Sequence, residues 1–343
     1  MADNQSIHKH KHKIMKKIKE KLSEIHILLF LKLIPYMFRE YWIFTKHMAR
    51  CKMSCYPEKL LTDILMTTHA LEKAFSLNNP KKGFGVTKSM QLTNNIEKYI
   101  SKYGYNSKLD VPISLIITYL NYQKETKYSD KKLDEVEIKI QKILSNINQP
   151  KAKFNKAGKI SFSKETMLHL NDANFKTLAR NRYSIRHFGK GDISEEILKE
   201  AIKIAQKSPS ACNRQSYRVH IFSDKQKDII LSTQGGANSF YKEANKAILI
   251  TGDLNRYYST EMHLPYIDAS LFAMSLMYAL TYLGIASIPL TMGRKLSVLK
   301  QIQGMKIPQN EIPVILIAIG NYPDEVIVSQ SERFSIDSFT TFH

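Results

Sequence analysis

The sequence predicts an α+β domain preceded by an all-α one. Apolar residues recur at helical spacing as far as residue 147. Beyond residue 166 the pattern alternates, with helices set between short apolar runs such as 247–251 and 313–319. Between these halves, residues 149–161 hold Pro150, Gly158 and four lysines with no acid, the composition of a linker. The 343 residues suffice for two domains and a sizeable core. The expected division is a basic amphipathic segment (1–45), a helical domain (46–148), a linker (149–165) and the α+β domain (166–343).

The net charge of +20 is unevenly placed. Residues 1–160 carry 30 Lys/Arg against 14 Asp/Glu, and residues 161–343 carry 21 against 17. Basicity therefore belongs to the first half, where it suits an anionic lipid surface, a nucleic acid or an anionic substrate, or simply solubility. No nucleic-acid motif accompanies it, so a nucleic-acid partner is not expected. Three cysteines, Cys51, Cys55 and Cys212, are too few for a disulfide framework, and a reducing cytoplasm is expected. His8, His10 and His12 alternate with lysines but lack an acid or cysteine to complete a metal site, so no metal is expected. Residues 1–21 are polar and basic, unlike a secretory signal.

Ile14, Ile18, Leu22 and Ile25 form a helical stripe, with Lys16, Lys17, Lys19 and Lys21 filling the other face. Residues 25–45 are more apolar, but Lys32, Arg39 and Glu40 interrupt them before a membrane span is reached. This face either lies on an anionic membrane surface, making the protein peripheral at its inner side, or packs on the rest of the chain. Helices are expected over Leu60–Ala74, Met90–Ile100, Val111–Tyr122 and Leu133–Ile147, with a loop at 78–85. In the second half a helix spans Ile193–Lys207, capped by Asp192 or Ser194. Strands are expected at Arg218–Phe222, Ala247–Thr251 and Pro313–Ile319. Residues 269–293 carry no charge; Gly284 and Pro289 shorten any helix there, which reads as a buried core helix or dimer interface rather than a span.

Two stretches flank the Ile193–Lys207 helix. In Arg182-Tyr183-Ser184-Ile185-Arg186, two guanidiniums and a hydroxyl at alternate positions share one side of an extended segment, which suits a phosphate. In Ser208-Pro209-Ser210-Ala211-Cys212-Asn213-Arg214-Gln215, short hydroxyls and amides between a helix and a strand suit the polar edge of a flat heteroaromatic ring. Each motif is weak alone; their order and spacing together are far more specific.

This order resembles the start of the nitroreductase family of flavoproteins. Further marks agree: Gln234-Gly235-Gly236-Ala237-Asn238-Ser239-Phe240, Asp268 before the uncharged run, Leu283 to Leu290, Ile319-Gly320-Asn321-Tyr322-Pro323, and Ser331-x-Arg333. The likeness spans residues 171–343. His69-Ala70-Leu71-Glu72-Lys73-Ala74-Phe75-Ser76, with Gly83-Phe84-Gly85, is similar to the helical extension of nitroreductase-like proteins associated with surface-polysaccharide biosynthesis. An ordinary solvated helix face with a capping loop accounts for it equally.

The resemblance implies a nitroreductase-like fold, a central mixed β-sheet flanked by helices, in a homodimer with FMN at the interface. By the same resemblance, Arg182, Ser184 and Arg186 would hold the FMN phosphate and ribityl chain, with Arg333 returning to the phosphate. Ser208, Pro209, Ser210, Asn213 and Gln215 would line the flavin, Asn238 would reach the ring edge, and Pro289, Leu290 and Thr291 would pack on it with a backbone N–H near flavin N5. NADH or NADPH would donate hydride to the flavin, and a second acceptor would take the electrons in a ping-pong cycle. The lack of a catalytic triad, paired carboxylates or a Gly-x-Gly-x-x-Gly turn agrees with chemistry borne by the cofactor. Ser216-Tyr217, Ala237-Asn238-Ser239 and Thr291-Met292 depart from the family pattern on the substrate side. A different class of function is a flavin-binding scaffold with little catalysis, acting in envelope polysaccharide assembly.

Overall fold

The computed structural model describes residues 26–47, 57–77, 80–147, 149, 153–155, 157–257, 261–292, 301–302 and 304–343. The Ile14–Ile25 stripe, the His8–His12 tract, Cys51 and Cys55 lie outside them. Contacts divide the chain into two units: one contains helix α1 (His26–His47), and the other runs from Leu60 to Tyr257 and from His263 to His343. On α1, Ile27, Phe30, Leu31, Phe38, Tyr41 and Trp42 are all exposed.

Four helices build the first layer of the larger unit: α2 (Pro57–Phe75), α3 (Val86–Tyr103), α4 (Asp110–Glu125) and α5 (Lys131–Asn146). Ile64, Leu71, Leu92, Ile96, Val136 and Ile140 turn inward at helical spacing around α4, whose Ile113, Leu115, Ile116 and Tyr119 are fully buried. Phe75, Phe84 and Tyr122 pack edge-on. The Tyr119 and Tyr122 hydroxyls donate to the carbonyls of Phe84 (2.5 Å) and Pro80 (2.8 Å), which fastens the loop after α2. Burial pushes the Tyr119 hydroxyl pKa up to about 12. Gly83 sits at φ +71°, where any Cβ would strike the Tyr128 ring.

Strand β1 (Lys159–Ser163) follows, inside the segment read as linker. Its Ile160 and Phe162 pack against the sheet core, and the strand pairs antiparallel with β6 (Glu325–Ser329). Four lysines conceal a short strand whose apolar positions alternate. Helices α6 (Lys164–Asn171), α7 (Phe175–Asn181) and α8 (Glu195–Ala205) come next, and the Ser194 hydroxyl accepts from the Ile197 N–H as the N-cap of α8.

The main sheet contains β2 (Tyr217–Phe222), β3 (Lys246–Asp253), β4 (Ile285–Thr291) and β5 (Glu311–Asn321) in the order β2-β3-β5-β4. Every pairing among the described residues is antiparallel, where a mixed sheet is expected. The crossover from β3 to β4 runs through α10 (Leu264–Tyr282) and joins two strands of like direction, but β5 lies between them and pairs antiparallel with both. Both faces of β3 and β5 are buried. Ile248, Ile250, Ile317 and Ile319 face α8 and α10, while Ala247, Leu249, Leu316 and Ala318 face a second cluster with Phe188 and Phe240. Helix α9 (Asp224–Ser232) contributes Ile230 and Leu231 to that second cluster.

Among the described residues α10 alone is long and apolar enough to cross a membrane. Its Ala269, Phe272, Ala273, Leu276 and Leu280 are buried against the sheet and α8, so it is the core helix that the uncharged run implies. Gly284, at φ +73°, turns the chain straight into β4.

Phe188 covers Gly320 of β5, where an added Cβ would lie 2.5–2.8 Å from Phe188 side-chain atoms. Gly320→Ala is therefore expected to cost about 1–3 kcal/mol of unfolding free energy through overpacking. Urea denaturation checks this; an unchanged midpoint would show that Phe188 moves freely.

Candidate functional site

The chain leaves α7 at Arg182, in extended conformation there, and runs to Phe188 outside helix and strand. The Ile185 N–H donates to the Ser287 carbonyl of β4 (3.0 Å), and Ile185 and Phe188 are buried in the sheet core. Arg182, Ser184 and Arg186, at alternate positions, line a cavity of about 850 Å³, and Tyr183 lines it with them. Arg180, on α7, and Ser331 and Arg333, in the tail after β6, line it too. The Arg186 guanidinium is only 6% exposed. Its Nη1 lies within reach of Ser76 Oγ and Ser329 Oγ, both at 3.4 Å, and of the Ser184 carbonyl at 3.5 Å. Arg186 Nε and Arg182 Nη1 are buried donors without a hydrogen-bond partner. Burial lowers the pKa of both guanidiniums, an effect that Glu72 offsets at Arg186. Arg333 is exposed and donates to the Ser331 carbonyl.

The other wall of the cavity belongs to α2, through Leu65, Thr68, His69 and Glu72. An ordinary solvated helix face does not describe this stretch. Glu72 is 3% exposed and accepts the N–H groups of Gly158 and Ser331, each at 3.4 Å. Lys73 Nζ donates to the Gly236 carbonyl at 2.9 Å. Ser76 is fully buried beside Arg186 and Ser329. Positions 69, 72, 73 and 76 follow helical i, i+3, i+4, i+7 spacing and so share one face.

Ser208–Gln215 line no part of this cavity. Ser208 is buried and its hydroxyl donates to the Ala205 carbonyl, closing the end of α8. Pro209 is exposed. Ser210 Oγ accepts the Gln215 N–H at 2.9 Å, and Asn213 and Gln215 are exposed. Cys212, Asn213 and Gln215 adopt positive φ of 50°, 52° and 48°, a strained run for residues other than glycine. Asp268, buried at the head of α10, fixes this loop. It accepts from the Ala211 N–H (3.1 Å) and from the hydroxyls of Ser216 (3.3 Å) and Tyr257 (2.7 Å). Arg214 donates to the Ala211 and Arg256 carbonyls and stacks on Tyr257, so its guanidinium serves the loop itself.

Asn238, Pro289, Leu290 and Thr291 likewise line no part of the cavity. Asn238 and Thr291 are exposed, Pro289 is half-buried and Leu290 is buried. Gln234 Nε2 donates to the Thr291 carbonyl at 2.5 Å, joining these two stretches, and the Lys73 contact at Gly236 reaches the same place. Glu72, Ser76, Ser329 and Gln234 make contacts here to which sequence reasoning gives no role. The spacing of 69, 72, 73 and 76 points to the first two, and Gln234 stands in one of the quoted motifs.

Burial raises the Glu72 pKa above the usual carboxylate value, against the pull of its two N–H donors and of Arg186 and Arg333. The folded state therefore binds protons more readily than the unfolded chain. The ionised carboxyl costs stability above the raised pKa, and that cost is relieved as pH falls toward 4.5. Glu72→Gln, which keeps the acceptor and loses the charge, is expected to melt at pH 7 no lower than the parent and to lack its gain on acidification. Glu72→Ala leaves two N–H groups without their acceptor and should lose about 1–3 kcal/mol. Thermal melts between pH 5 and 8 test both; a Gln variant as unstable as the Ala variant would contradict the sign.

Residues 179–233 match the family described as the Nitroreductase family, a span that covers both Arg182–Arg186 and Ser208–Gln215. No curated protein matches the chain. Among solved structures, the chain is similar to a nitroreductase family protein from Clostridium difficile 630, at 23% identity over 50% of this chain and 98% of that one, with a TM-score of 0.42. It is similar to an FMN-dependent nitroreductase from Clostridium difficile R20291, at 21% identity over 47% and 92% of the two chains, with a TM-score of 0.39. A nitroreductase family protein from Clostridium novyi NT gives 18% identity, coverages of 44% and 87%, and a TM-score of 0.40.

Proposed function

We propose that the chain is an FMN-dependent oxidoreductase that uses NADH or NADPH to reduce a small-molecule acceptor and works as a homodimer. The observation that carries this reading is the pair of unmatched buried donors, Arg182 Nη1 and Arg186 Nε, on two arginines that share a cavity with Ser184 and Arg333. Buried guanidinium N–H groups call for an anionic acceptor, and a phosphate monoester accepts several such bonds at once. The cavity volume suits a ligand of cofactor size. The family match over the same residues supports the choice of FMN.

FMN bound there would supply two-electron redox chemistry, with NADH or NADPH as the reductant. The chain would supply binding and orientation. Arg182, Arg186 and Arg333 would hold the phosphate, with Ser184 beside it. Ser210, Asn213 and Gln215, on the loop fixed by Asp268, would meet the flavin ring together with Asn238. Leu290 and Thr291, braced by Gln234, would pack on it. The ring-side group lines no part of the cavity in one chain, and pairing with a second copy would bring both groups to one flavin. Residues 166–343, together with the β1 strand that pairs with β6, then form the flavin domain, and residues 46–148 a helical domain.

The purified protein is expected to be yellow, to release FMN on heating as identified by mass, and to bleach anaerobically with NADH or NADPH. Recovery of FAD, or no uptake of supplied FMN, would sink the reading. Arg182→Ala and Arg186→Ala should each weaken FMN binding by about 1.5–3 kcal/mol, the range for hydrogen bonds to charged groups. Arg214→Ala should weaken it less, because that guanidinium is spent on carbonyls of the chain.

A peripheral membrane contact through residues 1–45 completes the proposal. It rests on the exposed apolar side chains of α1 and the lysines that precede them in sequence. Apolar insertion and attraction of roughly 1 kcal/mol per lysine near an anionic surface would act together. Full-length protein should co-sediment with anionic liposomes at low salt. Binding should fall at high salt and vanish when residues 1–45 are deleted, while FMN is retained. Full-length protein left in the supernatant at low salt would refute the contact.

A further inference from the structure

We infer that the helical extension supplies a ligand to the anion site: His69, on α2, contacts the phosphate held by Arg182 and Arg186. This rests on the reading that the cavity takes the phosphate of FMN. His69 lines the same cavity as the two arginines and keeps part of its surface open to solvent. Its position is fixed by its neighbours on the helix. One turn on, Glu72 binds the N–H of Ser331 and Lys73 binds the Gly236 carbonyl; two turns on, Ser76 meets Arg186. A helix face tied at three points fixes where its fourth side chain starts, so His69 is held at the cavity wall.

The electrostatics agree with the geometry. Burial, then Arg186 and Lys73, hold the His69 pKa below its ordinary value. That is the behaviour of an imidazole in a positive field, and an incoming anion reverses the field. A neutral imidazole can donate one N–H, and a protonated one adds charge. Of the cavity residues on α2, His69 is the one left to act as a donor: Glu72 is an acceptor committed to two backbone N–H groups, Thr68 donates to the Ile64 carbonyl, and Leu65 is apolar. The consequence is a flavin site whose phosphate end is completed by the helical domain of the same chain.

The test compares FMN with riboflavin, which lacks the phosphate, by quenching of flavin fluorescence on protein from which resident flavin has been exchanged. His69→Ala should weaken FMN roughly tenfold, the effect of losing one hydrogen bond to a charged group, and leave riboflavin within about twofold. His69→Gln retains a donor and should recover part of the loss, which guards against a fold defect in the Ala variant. Equal losses for FMN and riboflavin in both variants would make His69 merely structural and overturn the inference. So would unchanged FMN affinity in His69→Ala while Arg186→Ala abolishes the preference for FMN. A parent protein that binds FMN no better than riboflavin would instead overturn the phosphate reading beneath it.

Discussion

The demand of one buried carboxyl group for partners decides how the parts of this molecule meet. Taking a carboxylate out of solvent costs several kcal/mol unless donors and positive charge replace the water. Glu72 finds both only when three distant pieces meet: the N–H of Gly158 at the start of β1, the N–H of Ser331 some 259 residues along the chain, and the field of Arg186 and Arg333. Arg186 has the converse need. Its buried guanidinium leans on Ser76 of α2, Ser329 of β6 and the Glu72 charge. Neither charge is tolerable without the other's surroundings, so the four-helix layer, the β1–β6 pair and the arginine stretch are placed as one. The same mutual need leaves two guanidinium donors, Arg182 Nη1 and Arg186 Nε, unmatched beside the cavity.

The sheet fixes where that cavity forms. With β3 and β5 buried on both faces, neither face is free to carry polar chemistry, and the site is pushed to the segments that edge the sheet. Between Arg182 and Arg186 the chain divides its side chains: Ile185 enters the core and its N–H is pinned by the Ser287 carbonyl, while Arg182, Ser184 and Arg186 face the cavity together with Tyr183. Phe188 breaks the alternation by turning into the core over Gly320. The second candidate stretch is held by different means. Three residues at positive φ store strain between Cys212 and Gln215, and the buried carboxylate of Asp268 holds the loop against it. A rigid, strained polar loop is a costly feature to keep for connection alone.

Much of this was legible in the residues. The four N-terminal helices and the strands around 217–222, 246–253 and 311–321 follow their periodicities, because their apolar positions are spaced for one buried face or bounded by turns. β4 escaped because Ile285–Thr291 continues the uncharged run of α10 and periodicity does not separate a buried helix from a buried strand. β1 escaped because its exposed positions are lysine and serine, which read as linker. In the site, the alternation of Arg182, Ser184 and Arg186 was readable and so was the loop from Ser208. That these two stretches line separate regions of one chain was not, since spacing along a sequence says nothing of which wall a residue joins. Ser208 shows the limit: its hydroxyl reads as a ligand and closes a helix instead.

Helix α2 is the instructive failure, because an amphipathic pattern predicts one buried face and this helix buries two. Ile64, Leu71 and Phe75 enter the helical core, while Glu72 and Ser76 are buried against the α+β part. The composition of the polar face separates the cases. On α5 the polar positions are Lys131, Lys132, Asp134, Glu135 and Lys142, long or paired charges that remain exposed and cost little to solvate. On and just after α2 they include His69, Glu72, Lys73 and Ser76, one of each kind, and each but His69 has its own partners across the junction. A solvated face tolerates repetition because its side chains are interchangeable to water. A docked polar face does not, since every buried donor or acceptor must be matched one to one. Chemical variety at i, i+3, i+4, i+7 is therefore a sign of docking that apolar periodicity alone cannot give, and it leaves the one unmatched member, His69, facing the cavity.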